Sequence, residues 1–236
     1  MGEFVKRELI LDGVMHRYQV FVPARAADGR KPPVILFLHG TGERGSDGDK
    51  QVRVGLGPHV LGHRADFPAI VVFPQAPDDR DWKGKTAALA LAQLERATEE
   101  FNGDRDRTYL TGLSMGGYGT WELALMEPHR FAALVPVCGA LLPPREERLN
   151  LFVTPLAGEG DPYAMLAHRL HHLPIWIFHG AKDDLVPPDD DRRAYAALQA
   201  AGADVSYTEF PGAAHNAWDP AYATPELWKW LFSQRR

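Results

Sequence analysis

The sequence predicts an α/β protein: a doubly wound, mostly parallel sheet with an antiparallel hairpin at its N-terminus, formed as one domain over residues 1–236. Three observations carry this. The chain opens on two β-rich stretches, 5–11 and 15–22, around the pair Asp12-Gly13, whose residues accept the left-handed conformations of a two-residue hairpin. From Val34 onward, uninterrupted apolar runs recur at 34–38, 69–73, 108–111, 132–137, 175–178 and 205–210. Strands that are apolar on both faces belong to a parallel sheet covered by helices on both sides. Segments with helical spacing fill several of the gaps, so strand and helix alternate.

Size and composition fit one core. At 236 residues and 45% hydrophobic content the chain buries a single large core and is short for two. The net charge of -5 is spread along the chain, with no basic stripe for a phosphate backbone and no polybasic anchor, so neither nucleic acid nor a membrane surface is an expected partner. No stretch reaches the ~18 consecutive apolar residues of a membrane span. Nothing addresses the chain to a compartment, so its location stays open between cytoplasmic and, if a leader was cut away before Met1, secreted. Cys138 is the single cysteine, and its place after an apolar run marks it as a buried structural thiol.

The helical segments are 85–101, with Leu89, Leu91, Leu94 and Ala97 among charges, then 114–126, 162–171, 189–201 and 225–232. Gly202 suits the position that ends a helix after Ala201. One connection is longer than the rest: residues 139–173 contain Pro143-Pro144, a charged patch at 145–148, the apolar Leu151, Phe152 and Val153, and Gly158-Glu159-Gly160. Long connections in compact folds are functional or mobile, so this one is either a surface excursion or a partial lid, with 149–155 expected at the substrate entrance.

The chemistry centres on Gly112-Leu113-Ser114-Met115-Gly116, a G-x-S-x-G pentapeptide between a strand and a helix. A turn that pushes a serine oxygen out of a sheet is so sharp that its flanks must be small, and this context defines a nucleophile elbow. A serine hydroxyl needs a base, and the base needs an orienting acid. In this arrangement the acid and then the histidine follow on loops after later strands. Asp183-Asp184 follows the run 175–178, and His215 follows the run 205–210. The oxyanion donors are expected at the Met115 amide and at Thr41 in His39-Gly40-Thr41-Gly42, with the amides of Gly40 and Gly42 as neighbours able to serve.

Taken together, the blocks 18–23, 37–45, 73–75, 110–119, 178–187 and 212–218 resemble the esterase and predicted-peptidase branch of α/β hydrolases, related to dienelactone hydrolases, acyl-protein thioesterases and feruloyl-type esterases. The resemblance covers nearly the whole chain. It implies the α/β-hydrolase fold, hydrolysis of a small-molecule ester through Ser114, His215 and an acid, and no cofactor. It also places the acid three residues before Val186-Pro187, on Asp183 rather than Asp184. A peptidase or amidase would use the same residues, and a non-catalytic binding module would lack one of them.

Other residues fill out the site. Trp82, after the charged loop 78–81, and Trp218, after His215, are candidate walls of the substrate pocket. His168, His171 and His172 share a helical spacing but have no accompanying acid or thiolate cluster, so no metal site is expected there. His39 and His179 precede glycines at strand ends and are expected to make structural hydrogen bonds.

Overall fold

The computed structural model describes residues 1–24, 29–158 and 160–236, so Glu159 of the long connection lies outside the described residues. Strands β1 (Glu3–Leu11) and β2 (Val14–Val22) pair antiparallel in the register Leu11↔Val14. Asp12 and Gly13 both take positive φ, 52° and 77°, the requirement of a type I′ turn. Then follow β3 (Val34–Leu38), α1 (Leu56–Gly62), β4 (Ile70–Phe73), α2 (Lys85–Glu100), β5 (Thr108–Leu113), α3 (Met115–Met126), β6 (Ala133–Val137) and α4 (Pro162–Leu170). The chain closes with β7 (Ile175–Gly180), α5 (Asp189–Ala200), β8 (Val205–Phe210), α6 (Trp218–Ala223) and α7 (Pro225–Ser233). The short helices α1 and α6 were not expected from the sequence, since neither is long enough to show a helical period.

Eight strands form one sheet in the order β1-β2-β4-β3-β5-β6-β7-β8. Strand β2 runs antiparallel to both of its neighbours, and β4, β3 and β5 to β8 run parallel. The period of two along each strand divides the core. Val34, Leu36 and Leu38 face one side with Leu94 of α2, Trp121 of α3, Leu166 of α4 and Leu198 of α5. Ile35 and Phe37 face the other with Val60 of α1, Tyr222 of α6 and Leu231 of α7. The order also fixes where ligands reach the sheet. From β3 the chain goes outward to β4, then crosses back to β5 on the opposite side of β3, so a crevice opens at the carboxyl ends of β3 and β5.

The long connection is fastened to the body. Val153 donates its amide to the Leu141 carbonyl at 2.9 Å, and the Thr154 amide and hydroxyl both donate to the buried carboxylate of Glu122 on α3. At its start, the amides of Leu141 and Leu142 donate to Asp190, which also accepts from the Tyr163 hydroxyl. Leu141, Leu151, Val153 and Leu156 are buried.

Candidate active site

Ser114 sits between the last residue of β5 and the first of α3 with φ 54° and ψ -120°, a conformation that L-residues avoid. The tightness of the turn explains its glycines: a Cβ on Gly112 would lie 2.2 Å from the Gly116 oxygen, and one on Gly116 only 1.9 Å from the Leu38 oxygen. The strained serine is held by its own backbone, its amide donating to Val137 at 2.9 Å and its carbonyl accepting from Gly117 at 2.7 Å.

His215 reaches Ser114 from the loop after β8, with Nε2 2.8 Å from the serine Oγ and Nδ1 2.7 Å from Asp183 Oδ2. Because the carboxylate can only accept, Nδ1 carries the proton and Nε2 offers its lone pair to the serine hydroxyl. The two loops that carry His215 and Asp183 lie against each other. Lys182 donates its amide to Ala213 at 2.9 Å, and Gly180 has no side chain to collide with the Ala214 carbonyl, which would be 2.1 Å from a Cβ there. Asp183, not Asp184, faces the histidine. It is 5% exposed, and its Oδ1 accepts from the amides of Leu185 and Val186 at 3.0 and 2.9 Å. Asp184 is exposed.

Behind Asp183 lies a second imidazole that the sequence reading had given only a structural role. His179 is fully buried; its Nδ1 is 2.7 Å from Asp191 Oδ2, and its Nε2 is 2.8 Å from the Val186 carbonyl and 3.3 Å from Asp183 Oδ2. Burial opposes a charge on this ring, but its hydrogen bonds to Asp183 and Asp191 outweigh it and raise the pKa to about 10. Asp191, without any exposure, is pushed up to about 6 by that burial, against the lowering effect of its hydrogen bond from His179. For Asp183, burial is likewise opposed by hydrogen bonds from His179, His215 and the Val186 amide, and its pKa falls well below the carboxylate range. The only sign of Asp191 in the sequence was the run Asp189-Asp190-Asp191, which reads as an acidic helix start.

The loop expected to supply an oxyanion donor is pinned as firmly. His39 donates from Nδ1 to the Gly40 carbonyl at 2.6 Å and accepts at Nε2 from the Ala76 amide at 3.0 Å, and burial lowers its pKa to about 4, keeping it neutral. Thr41 begins the 3-10 turn Thr41–Glu43, and Met115 begins α3. Each therefore has an amide with no carbonyl one turn behind it inside its own helix.

The expectation that Trp82 walls the pocket is corrected. Trp82 is 2% exposed, packs edge-on against His39 at 4.9 Å and donates its indole N–H to the His39 carbonyl at 2.9 Å. An indole with a buried partner for its N–H is stable in the core, and this one braces the Thr41 loop from beneath. Trp218 does line the pocket, edge-on to the His215 ring at 5.4 Å.

The pocket holds about 250 Å³ over Ser114 and His215. The connection contributes Pro144, Arg145, Arg148 and Leu151 to its wall, so of the expected 149–155 only Leu151 lines the pocket, and three earlier residues do so while Val153 turns inward to the core. The histidines just past the end of α4 face elsewhere: His171 Nδ1 lies against the carbonyls of Ala167 and His168, and His172 Nε2 against that of Pro128. Cys138, His179 and Asp183 bring one ligand atom each within 4.8 Å, a spacing able to gather a cation. Yet both His179 nitrogens face acceptors, and burial raises the Cys138 pKa far above neutrality, which disfavours the free imidazole nitrogen and the thiolate that a cation would require.

The fold is that of α/β-hydrolase esterases. A thermostable esterase superposes with a TM-score of 0.80 at 32% identity, over 99% of this chain and 63% of its own. Among curated proteins, an uncharacterized secreted protein of Arthroderma benhamiae is 25% identical over 91% of this chain and 25% of its own length. A poly(3-hydroxyoctanoate) depolymerase of Pseudomonas fluorescens is 25% identical over 66% of this chain and 58% of its own. The chain thus spans a quarter of the first curated relative and somewhat over half of the second. The family model described as "Putative esterase" matches residues 13–221, and the chain belongs to that esterase family.

Proposed function

We propose that the chain is a serine hydrolase of carboxylic esters, acting through an acyl-enzyme on Ser114. The observation that carries this reading is the unbroken line Asp183–His215–Ser114, at 2.7 and 2.8 Å, opening onto a pocket of about 250 Å³. As Ser114 Oγ attacks the acyl carbonyl, His215 Nε2 takes its proton, then returns it to the departing alcohol oxygen; water repeats the sequence and frees the acid. Asp183 holds the ring in the tautomer that can accept and steadies the imidazolium that forms. The amides of Thr41 and Met115 donate to the oxyanion. No step calls on a cofactor.

The segment 139–173 acts in this reading as a fastened wall rather than a swinging flap, since Asp190 ties its start and Glu122 its middle to helices. Trp218 borders the base, edge-on to its ring. The pocket volume suits a small ester, or the end of a longer polyester such as the one named for the Pseudomonas relative.

The test is labelling by a fluorophosphonate together with turnover of an aryl ester and its matched anilide. Labelling confined to Ser114, with the ester strongly preferred, supports the reading. Absence of labelling in the folded protein, or a preference for the anilide, overturns it.

A further inference from the structure

The wall that the long connection adds to the pocket is cationic. Arg145 and Arg148 both line the space over Ser114, opposite the apolar Leu185 and Trp218. Arg148 is 25% exposed in its side chain, with Nη1 3.5 Å from the Thr41 hydroxyl. Its Nη2 is buried without a hydrogen-bond partner, 3.7 Å from Asp81 Oδ1, and that oxygen is already in close contact with Arg44. Two guanidinium groups therefore share one nearly buried carboxylate. Arg145 adds a third cation, its nearest acid the exposed Glu147 at 4.0 Å. Glu43 is the one carboxyl among the described residues that line the pocket, so two arginines face the space against a single acid. A partly desolvated surplus of positive charge is costly unless an anion arrives to meet it.

We propose that this pocket selects esters bearing a carboxylate, with Arg148 as the group that binds it and Arg145 as a second cation on the same wall. The inference rests on the hydrolase reading above and adds the substrate class to it. Nη1 is engaged only by the long contact to Thr41, which leaves it able to donate a charge-assisted hydrogen bond to a carboxylate in the pocket. Because Arg148 stands beside the Thr41 loop, the bound carboxylate lies within one small pocket of the scissile bond, which points to esters of short diacids or of hydroxy acids.

The experiment measures kcat/KM for two matched pairs: 4-acetoxybenzoate against its methyl ester, and the mono-4-nitrophenyl ester of adipic acid against the methyl 4-nitrophenyl diester. The wild-type protein is expected to favour the charged member of at least one pair by about tenfold or more, the scale of one charge-assisted hydrogen bond. Arg148→Gln should erase that preference, Arg148→Lys should keep part of it, and the more exposed Arg145→Gln should reduce it without a change in thermal unfolding. Equal rates within both pairs, or a preference that survives Arg148→Gln, overturn the proposal. So does an equal slowing of charged and neutral members in Arg148→Gln, which would make Arg148 a support of the Thr41 loop only. If the wild-type protein hydrolyses neither member of either pair and Ser114 resists the fluorophosphonate, the hydrolase reading itself has failed and this proposal falls with it.

Discussion

The loop after β8 and the end of β7 each present a histidine to the same oxygen, Asp183 Oδ2: His215 at 2.7 Å and His179 at 3.3 Å. Their second nitrogens differ. His215 Nε2 meets a hydroxyl, which can give a proton, and its side chain is 17% exposed. His179 meets only acceptors, Asp191 and the Val186 carbonyl, and is wholly enclosed. In the proposed reaction the first imidazole accepts the serine proton, whereas the second is held between two carboxylates, which favours its charged form. Identity and a shared acid do not assign the role; the partner on the far nitrogen and access to solvent do.

The largest effects should come from the exposed arm of this comparison. Ser114→Ala and His215→Ala are each expected to lower kcat by on the order of 10⁶ with an unchanged circular dichroism spectrum, because the members of such a unit fail together. Asp183→Asn should cost on the order of 10⁴, by analogy with serine proteases, while exposed Asp184→Asn stays near wild type. If Asp184→Asn proved the crippling change, the geometry drawn here would be wrong.

The enclosed arm should respond in stability first. Asp191→Asn leaves His179 with one carboxylate fewer and is expected to lower unfolding free energy by ~3–5 kcal/mol in urea titrations. A loss within experimental error would show that His179 is not held as a charged pair.

The pH dependence separates the arms further. His179 has a folded pKa of about 10, raised above the ordinary ~6.5 of a free histidine, so its contribution is complete below ~6.5 and is lost as pH climbs through about 10. Asp183 runs the other way: its depressed pKa contributes above the ordinary ~3.9 and is lost as pH falls further. Urea midpoints taken from pH 6 to 10 should therefore decline in the wild-type protein and decline less in Asp191→Asn. Parallel curves for the two proteins would sink the assignment.

The smallest expected effect is at Trp218, whose edge-on contact with His215 is of a kind worth ~0.5–1.5 kcal/mol. Trp218→Ala should lower kcat/KM by up to about tenfold, with stability almost unaltered. Unfolding of this variant at ordinary temperature would mean that Trp218 belongs to the core, as Trp82 does.

The local sequence was enough to determine whatever backbone chemistry and strand period decide. Asp12-Gly13 specified a hairpin, the runs 34–38 and 205–210 specified strands to the residue, and Gly112 and Gly116 announced a turn too tight for side chains around Ser114. The order of serine, acid and histidine along the chain was equally legible, since loops after successive strands must emerge at one rim. The environment of a side chain was not, because it depends on neighbours remote in sequence. Trp82 reads as a loop aromatic until the His39 carbonyl, 43 positions earlier, is found accepting from its indole. Asp191 looks like a helix-start acid until His179 is seen facing it, and Arg148 looks like a solvated charge until the fold sets it 107 positions from its contact at Thr41. Burial and charge balance are sums over the whole packed chain, so only the tertiary structure could decide them.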